Sequence, residues 1–471
     1  MARTRTRRLR GAGGLIAVAT TVVTVVLSAA ALPAHAVPEG TILGAGRPGA
    51  VDGSYLVTLK EAPDTGASEP SAAAGRRLAE AYGARISHVY GTVLHGFAVE
   101  ADARQARRLA ADPRVASVVQ DTRVTVDTPV TVDTSVTVDT PAAVDTPVTV
   151  DTPVAVDTPV TADTPAAVDA PVTADTPVAA EATSTDHTTG TAARTPASWG
   201  LDRIDQPSRP LDDSYSWPKS AGAGVTVYVI DTGVRITHKD FAGRARHGWD
   251  FVGGDGTAAD GNGHGTHVAA TVAGTSFGVA KKAKVVSVRV LDDTGAGTIA
   301  RVIAGIDWVT RNARKPAVAN LSLGGGYNAQ LDAAVRASIR SGVTYTVAAG
   351  NEGRPAALGS PADVREAVTV GAVDRADTRP AFSNHGSALD LFAPGVSITS
   401  ASHRGDTARA TFSGTSTAAP HAAGAAALYL ADHPKATPAQ VSRALVAGAA
   451  NGKVSGRGSG SPNKILQVPP F

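Results

Sequence analysis

Three short stretches carry residue types that together could run acyl transfer. Val225 to Ile230 is a β-branched run that ends at Asp231-Thr232-Gly233. A buried strand of that kind delivers its polar end to the rim of an open α/β sheet. Asn262-Gly263-His264-Gly265-Thr266-His267 is a Gly-rich turn running into a helical pattern. Ser413-Gly414-Thr415-Ser416-Thr417 leads into small apolar residues, Ala418 to Leu430, that read as a buried helix. Pro420 falls in its first turn on this reading, where a missing N–H costs nothing. A serine hydroxyl is a weak nucleophile at its free pKa; an imidazole must take its proton and a carboxylate must hold that imidazole. Asp231, His264 and Ser416 are one residue of each type. Gly-Thr-Ser before a helix is by itself an ordinary N-cap, and it gains meaning from the other two.

The elements that must position these residues are legible as an alternation. Strand-like runs at Val225–Ile230, Val285–Val290, Ala317–Leu323, Val343–Ala348 and Ala367–Val373 enclose helical patterns such as Thr298–Asn312 and Ala329–Ser341. That order calls for a mostly parallel sheet with helices on both faces, a three-layer α/β unit. The chain has 471 residues, a formal net charge of +2 and no cysteine. The charge argues against nucleic acid as a partner, and a disulfide framework is excluded.

Composition divides the chain into four zones. Residues 1–36 read as a signal peptide: five arginines, an apolar stretch from Leu15 to Ala31, and Ala34-His35-Ala36 as a cleavage site. The apolar stretch is too short and too rich in Ala and Thr for a stable membrane anchor, so the protein is expected outside the cell. Residues 37–123 alternate strand and helix in a βα…βαβ succession that suits a ferredoxin-like α+β module. Residues 124–191 are a low-complexity linker in which aspartate recurs every six residues from Asp127 to Asp175, usually followed by Thr-Pro or Ala-Pro. Proline at that density forbids helix and central strand, so an extended tether is expected. Residues 192–471 hold the alternating pattern.

Two rival chemistries fail. Asp231-Thr-Gly and Asp293-Thr-Gly resemble the paired motifs of an aspartic protease, but the interval between them is too short for two lobes and leaves His264 and Ser416 without a role. His264 and His267 lack a third zinc ligand at motif spacing. A catalytically silent peptide-binding protein, tethered at a surface through the repeat, is the alternative from another class.

With Asp231-Thr-Gly, His264-Gly-Thr-His and Gly-Thr-Ser416 in that order, the chain resembles the subtilisin-like serine endopeptidases of the proteinase K branch, preceded by an inhibitor I9-type propeptide. The resemblance implies that Asp231 orients the imidazole, His264 is general base and then acid, Ser416 is the nucleophile, and Asn351 with the Ser416 N–H forms the oxyanion hole. His267 is then a structural helix residue. Substrate is expected to add as a strand between Gly295-Ala296-Gly297 and Ser322-Leu323-Gly324, with Ala348, Ala349 and Gly350 walling an uncharged primary pocket. Cleavage after apolar or aromatic residues follows, with Ile299 where relatives often carry tyrosine.

The resemblance also implies structural calcium. Asp390 with the backbone carbonyls of Arg365 and Ala367 matches one site, Asp202, Asp205, Gln206 and Asp212 a second, and Asp255 with Asp260 a weaker third. The propeptide is expected to act as intramolecular chaperone and inhibitor of a monomeric enzyme that cuts proteins and peptides. The final processing cut is expected between Ala180 and Ser198. Departures from the family pattern are Thr417 in place of Met, Ala419 in place of Ser or Thr, and Ala270 in place of Gly.

Overall fold

The computed structural model of the chain describes residues 39–60, 71–126 and 191–468. The signal-like segment and the repeat from Asp127 onward lie outside the described residues.

The first module runs Ile42–Leu43 (β1), Ala50–Leu59 (β2), Ser71–Tyr82 (α1), Arg85–Tyr90 (β3), Gly96–Glu100 (β4), Ala103–Ala110 (α2) and Val115–Thr125 (β5). Its strands order as β1-β5-β2-β4-β3; β1 joins β5 in parallel and the rest pair antiparallel. The period of two sorts the side chains. Tyr55, Val57 and Leu59 of β2 pack with Leu78, Leu109 and Phe97 beneath the helices. Leu56 and Ala98 face the other way and join the core of the second module. Gly75 of α1 lies on the Phe97 ring, where a Cβ would come within 2.8 Å. Asp102 and Gln105 close a capping box on α2. The last strand runs on to Thr125 because its end pairs with the second module.

That second module begins with Thr191–Arg194 (β6), which pairs antiparallel with Tyr215–Pro218 (β7) across the short helix Trp199–Ile204 (α3). It continues through Thr226–Asp231 (β8), Ala245–Asp250 (β9), His264–Ala273 (α4), Lys284–Arg289 (β10), Ala296–Thr298 (β11) and Ile299–Asn312 (α5). Next come Ala317–Leu321 (β12), Gly325–Gly326 (β13), Ala329–Arg340 (α6), Thr344–Ala348 (β14), Gly359–Ser360 (β15) and Val368–Val373 (β16). Leu391–Pro394 (β17), Ile398–Ala401 (β18), Arg409–Phe412 (β19), Thr415–Asp432 (α7), Pro438–Gly448 (α8), Ala450–Asn451 (β20) and Lys464–Ile465 (β21) complete it.

One nine-stranded sheet, in the order β20-β21-β17-β16-β14-β12-β8-β10-β9, carries the module. It is parallel throughout except where β20 meets β21. Each central strand is buried on both sides, which is why these strands read as unbroken apolar runs. On β8, Val227 and Val229 pack against α4 and α7, whereas Tyr228 and Ile230 pack against α5 and α6. The three layers are therefore those the alternation predicts.

Pro420 stands differently from its expected place. It is the sixth residue of α7, beyond the first turn. The carbonyl four residues earlier, that of Ser416, consequently has no helical N–H to accept. The Ser322 hydroxyl takes that role, donating at 2.7 Å.

Candidate active site

Asp231 ends β8 fully buried, with Oδ1 accepting the Thr232 N–H at 2.7 Å. The same oxygen lies 2.8 Å from Nδ1 of His264, the first residue of α4. Two glycines make that approach possible. A Cβ on Gly265 would lie 2.1 Å from the Gly233 carbonyl, and one on Gly263, at φ +112°, would strike the His403 ring. Asp260 braces the turn. Its Oδ1 accepts from Thr232 Oγ1 and from the N–H groups of Asn262 and Gly263. Its Oδ2 accepts from the N–H and the hydroxyl of Thr266. Thr232 Oγ1 in turn accepts the Gly265 N–H at 2.9 Å, tying the end of β8 to the start of α4.

Ser416 is the second residue of α7, buried at the helix's N-terminal end. Beside it Asn351 follows β14, and its Oδ1 accepts both the N–H and the hydroxyl of Thr415, each at 2.9 Å. With the carbonyl oxygen engaged, Nδ2 is turned toward the serine. A Cβ built on Gly414 would stand 2.9 Å from Ser416 Oγ and 3.2 Å from Asn351 Nδ2, so the two atoms flank the space that this glycine leaves open. A helix N-terminus, the Asn351 amide and a hydroxyl thus meet, an arrangement that favours negative charge. His267 stands apart: burial pushes its imidazole down to about 3, its Nε2 lies 2.9 Å from the Ile398 carbonyl, and it stacks on Phe412.

A peptide strand lies along both of the edges expected to take substrate, and it is the chain's own. Arg123, Thr125 and Val124 pair antiparallel with Thr298, Ala296 and Gly297. Thr125 also bridges to Gly324 on the opposite side, and the Val126 N–H donates to the Gly295 carbonyl at 2.9 Å. Val124 and Val126 are buried. A Cβ on Gly295, at φ +79°, would come 2.5 Å from Val126 Cγ2, so this close approach requires the glycine. Ser322 and Leu323 are fully buried; the edge is held by Gly324, while the Ser322 side chain is turned inward. Ala348 and Ala349 are buried and Gly350 sits at φ +98°. The Glu352 carboxylate approaches the same spot, 2.9 Å from a Cβ built on Gly350, and accepts from Asn384 at 2.7 Å.

The two modules also meet around α5. Asp307 Oδ1 accepts the N–H groups of Gly91, Thr92 and Val93 at 3.1, 2.7 and 3.1 Å. Asp121, from β5, accepts the Ala300 N–H at the start of α5, and Tyr90 donates to the Ala300 carbonyl.

The calcium candidates differ in fit. Among the described residues no three His, Cys, Asp or Glu side chains converge as a metal cluster. Asp205 Oδ1 and Gln206 Oε1 are nevertheless buried without a partner. Burial pushes the Asp205 carboxyl up to about 7. Asp202 nearby accepts the N–H groups of Asp212 and Asp213, and Asp212 that of Ser214. This oxygen-rich loop fits a hard cation. Asp390 is half-buried, and desolvation pushes its carboxyl up to about 6, with Oδ2 accepting the Thr369 N–H. Asp260 does not fit: its five donors fill both oxygens, and Asp255 Oδ1 accepts the Thr257 N–H.

Sequence reasoning missed Thr232 and the bracing role of Asp260, although an Asp four residues before a histidine in a Gly-rich turn is a signal for such a brace. It also missed the chain Thr346–Asn320–Ser322–Ser416 and the docking carboxylates Asp121 and Asp307, for which no local signal exists.

Residues 222–463 match the subtilase family model, and residues 54–127 match the peptidase inhibitor I9 model. An extracellular serine proteinase of Thermus sp. (strain Rt41A) is 41% identical over 452 residues, 93% of this chain and 94% of the relative. A cuticle-degrading serine protease of Arthrobotrys oligospora is 47% identical, covering 59% of this chain and 69% of its own length. A crystal structure of a cold-adapted subtilisin-like serine proteinase superposes with a TM-score of 0.57 at 49% identity, covering 58% of this chain and 99% of that one.

Proposed function

Because the chain belongs to the subtilase family of serine proteinases and carries an I9 propeptide domain, we propose that it hydrolyses peptide bonds through Ser416, His264 and Asp231. The observation that carries this reading is the pairing of a peptide strand, Arg123–Thr125, with β11 and Gly324 beside the Asp231–His264 contact. Ser416 Oγ attacks the carbonyl carbon of the scissile bond, and His264 takes the hydroxyl proton. The oxyanion is held by the Asn351 amide and the Ser416 N–H. His264 then protonates the leaving amine, and water, activated by the same imidazole, releases the acyl group. Asp231 keeps the imidazole in the tautomer this requires.

The small lining of Ala348, Ala349 and Gly350 supports apolar or aromatic residues before the scissile bond, and Glu352 beside Gly350 disfavours acidic ones. The first module is the enzyme's inhibitor, seated along both edges. Structural calcium, held by Asp205 and Gln206 with Asp202 and Asp212, and by Asp390 with the Arg365 and Ala367 carbonyls, would supply rigidity and take no part in the chemistry. The Arg-rich, apolar N-terminal segment supports export. The pairing of Thr191–Arg194 with β7 supports a final cut ahead of Thr191, within the span expected from Ala180 to Ser198.

The test is direct. Ser416→Ala and His264→Ala should each remove nearly all hydrolysis of a chromogenic peptide, and a sulfonyl fluoride should label Ser416 in the wild type. Asn351→Leu should lower kcat by roughly 10²–10³, the loss known for this donor in subtilisin. Full activity in Ser416→Ala would overturn the assignment.

A further inference from the structure

The strand that fills the substrate edges is the first unit of the six-residue repeat. Val124-Thr125-Val126 is docked, and Asp127 follows it. The same tetrapeptide recurs at Val130–Asp133, Val136–Asp139 and Val148–Asp151. Of the remaining units from Asp145 to Asp175, each keeps Val or Ala at the two docked valine positions. A period of six is even, so a slide by one unit returns every side chain to the same face of an extended strand. The chain thus repeats, register by register, the sequence that its own cleft already holds.

Resting on the peptidase reading above, we propose that the repeat is a tandem ligand for the enzyme's own substrate edges, a set of spare inhibitory strands behind the propeptide. Two features make each unit a ligand that is cut poorly. The residue after the docked Val126, whose carbonyl the serine would attack, is Asp in every unit. Its carboxylate would meet the primary pocket proposed above, beside the buried Ala348 and Ala349 and the Glu352 carboxylate next to Gly350. Desolvation and like charge both oppose it. Two residues further on, most units carry proline, which removes a main-chain donor on the leaving side. Main-chain pairing along β11 and Gly324 and the two valine sites supply the binding. Several copies on one chain raise the local concentration of ligand at a single cleft.

The experiment uses enzyme that has matured from the full chain and a synthetic peptide of residues 128–153, which holds the three further exact copies. With a chromogenic peptide substrate, the repeat peptide should raise the apparent KM and leave kcat unchanged. It should inhibit about threefold more strongly than a one-copy peptide of residues 128–133, by the number of copies. A version with every valine replaced by serine should have no effect, and mass spectrometry should recover the repeat peptide intact. Inhibition no stronger than that of the serine version would overturn the proposal, as would rapid cutting of the peptide. If the matured wild-type protein fails to hydrolyse the chromogenic substrate at all, it is the peptidase reading that falls.

Discussion

The Ser322 hydroxyl donates to the main-chain carbonyl of Ser416 at 2.7 Å, in the place that Pro420 leaves without an N–H. Behind Ser322 the chain continues: Asn320 donates to its hydroxyl at 2.9 Å, and Thr346 donates to Asn320 at 3.0 Å. A residue expected to belong to a substrate edge therefore holds the backbone of Ser416.

Ser322→Ala leaves that buried carbonyl unsatisfied, which costs about 1–3 kcal/mol. Where part of this loss falls on the attacking geometry, kcat drops roughly tenfold while KM changes little, and Ser322→Thr restores most of the rate. Steady-state kinetics with a thermal melt separates the roles. A lower Tm with unchanged kcat would mean that the hydroxyl supports the fold alone.

Asp307 holds the propeptide by three N–H donors. Hydrogen bonds to a carboxylate are each worth about 1.5–3 kcal/mol. Counting the shortest of the three alone, at 2.7 Å, Asp307→Ala should weaken inhibition by the propeptide at least roughly 10–100-fold and shorten the lag before activity appears during maturation. An unchanged lag would show that the β5 pairing alone sets the affinity.

Asp332 on α6 is buried, and burial, opposed by the Ser360 hydroxyl and reinforced by Asp363 beside it, pushes its carboxyl up to about 7. The sign follows from the raised value. The folded protein keeps this proton up to about pH 7, whereas the unfolded chain loses it near the ordinary carboxyl value of 3.8. Stability from this group is full below about pH 4 and declines as pH rises to about 7, staying low above it. Asp332→Asn removes the loss, so its Tm should exceed the wild type's by several degrees at pH 8 and by little at pH 4. Parallel melting curves at the two pH values decide it; an equal difference at both would refute the linkage.

Calcium removal should act through the Asp205 loop and the Asp390 site. A metal bound only by the folded state adds about 2.7 kcal/mol at a hundredfold excess over its Kd, and no disulfide shares the burden. EDTA should lower Tm and speed autolysis; Asp205→Ala should reproduce part of the shift and respond less to EDTA, and the double variant Asp205→Ala with Asp390→Ala should not respond at all. Identical melts of the wild type with calcium and with EDTA would count against both sites.

Much of this protein was legible in one dimension. Burial on both faces made the central strands of the large sheet unbroken apolar runs, and the helices between them had to lie on its two sides. The three motif stretches placed Asp231 at the end of β8 and His264 and Ser416 at the starts of α4 and α7, because strand ends and helix starts both leave local marks in a sequence. What the tertiary structure alone decided was partnership across long separations. Asp260 became a brace with no lone pair left for a cation, because five donors from the β8–α4 junction converge on it. Ser322 turned inward because Pro420, ninety-eight residues later in the sequence, left a carbonyl open. Nothing local in the sequence of Val124 and Val126 marked them to sit between β11 and Gly324. A hydrogen bond or a docked strand depends on which surfaces meet, and periodicity along the chain records only which face each residue presents.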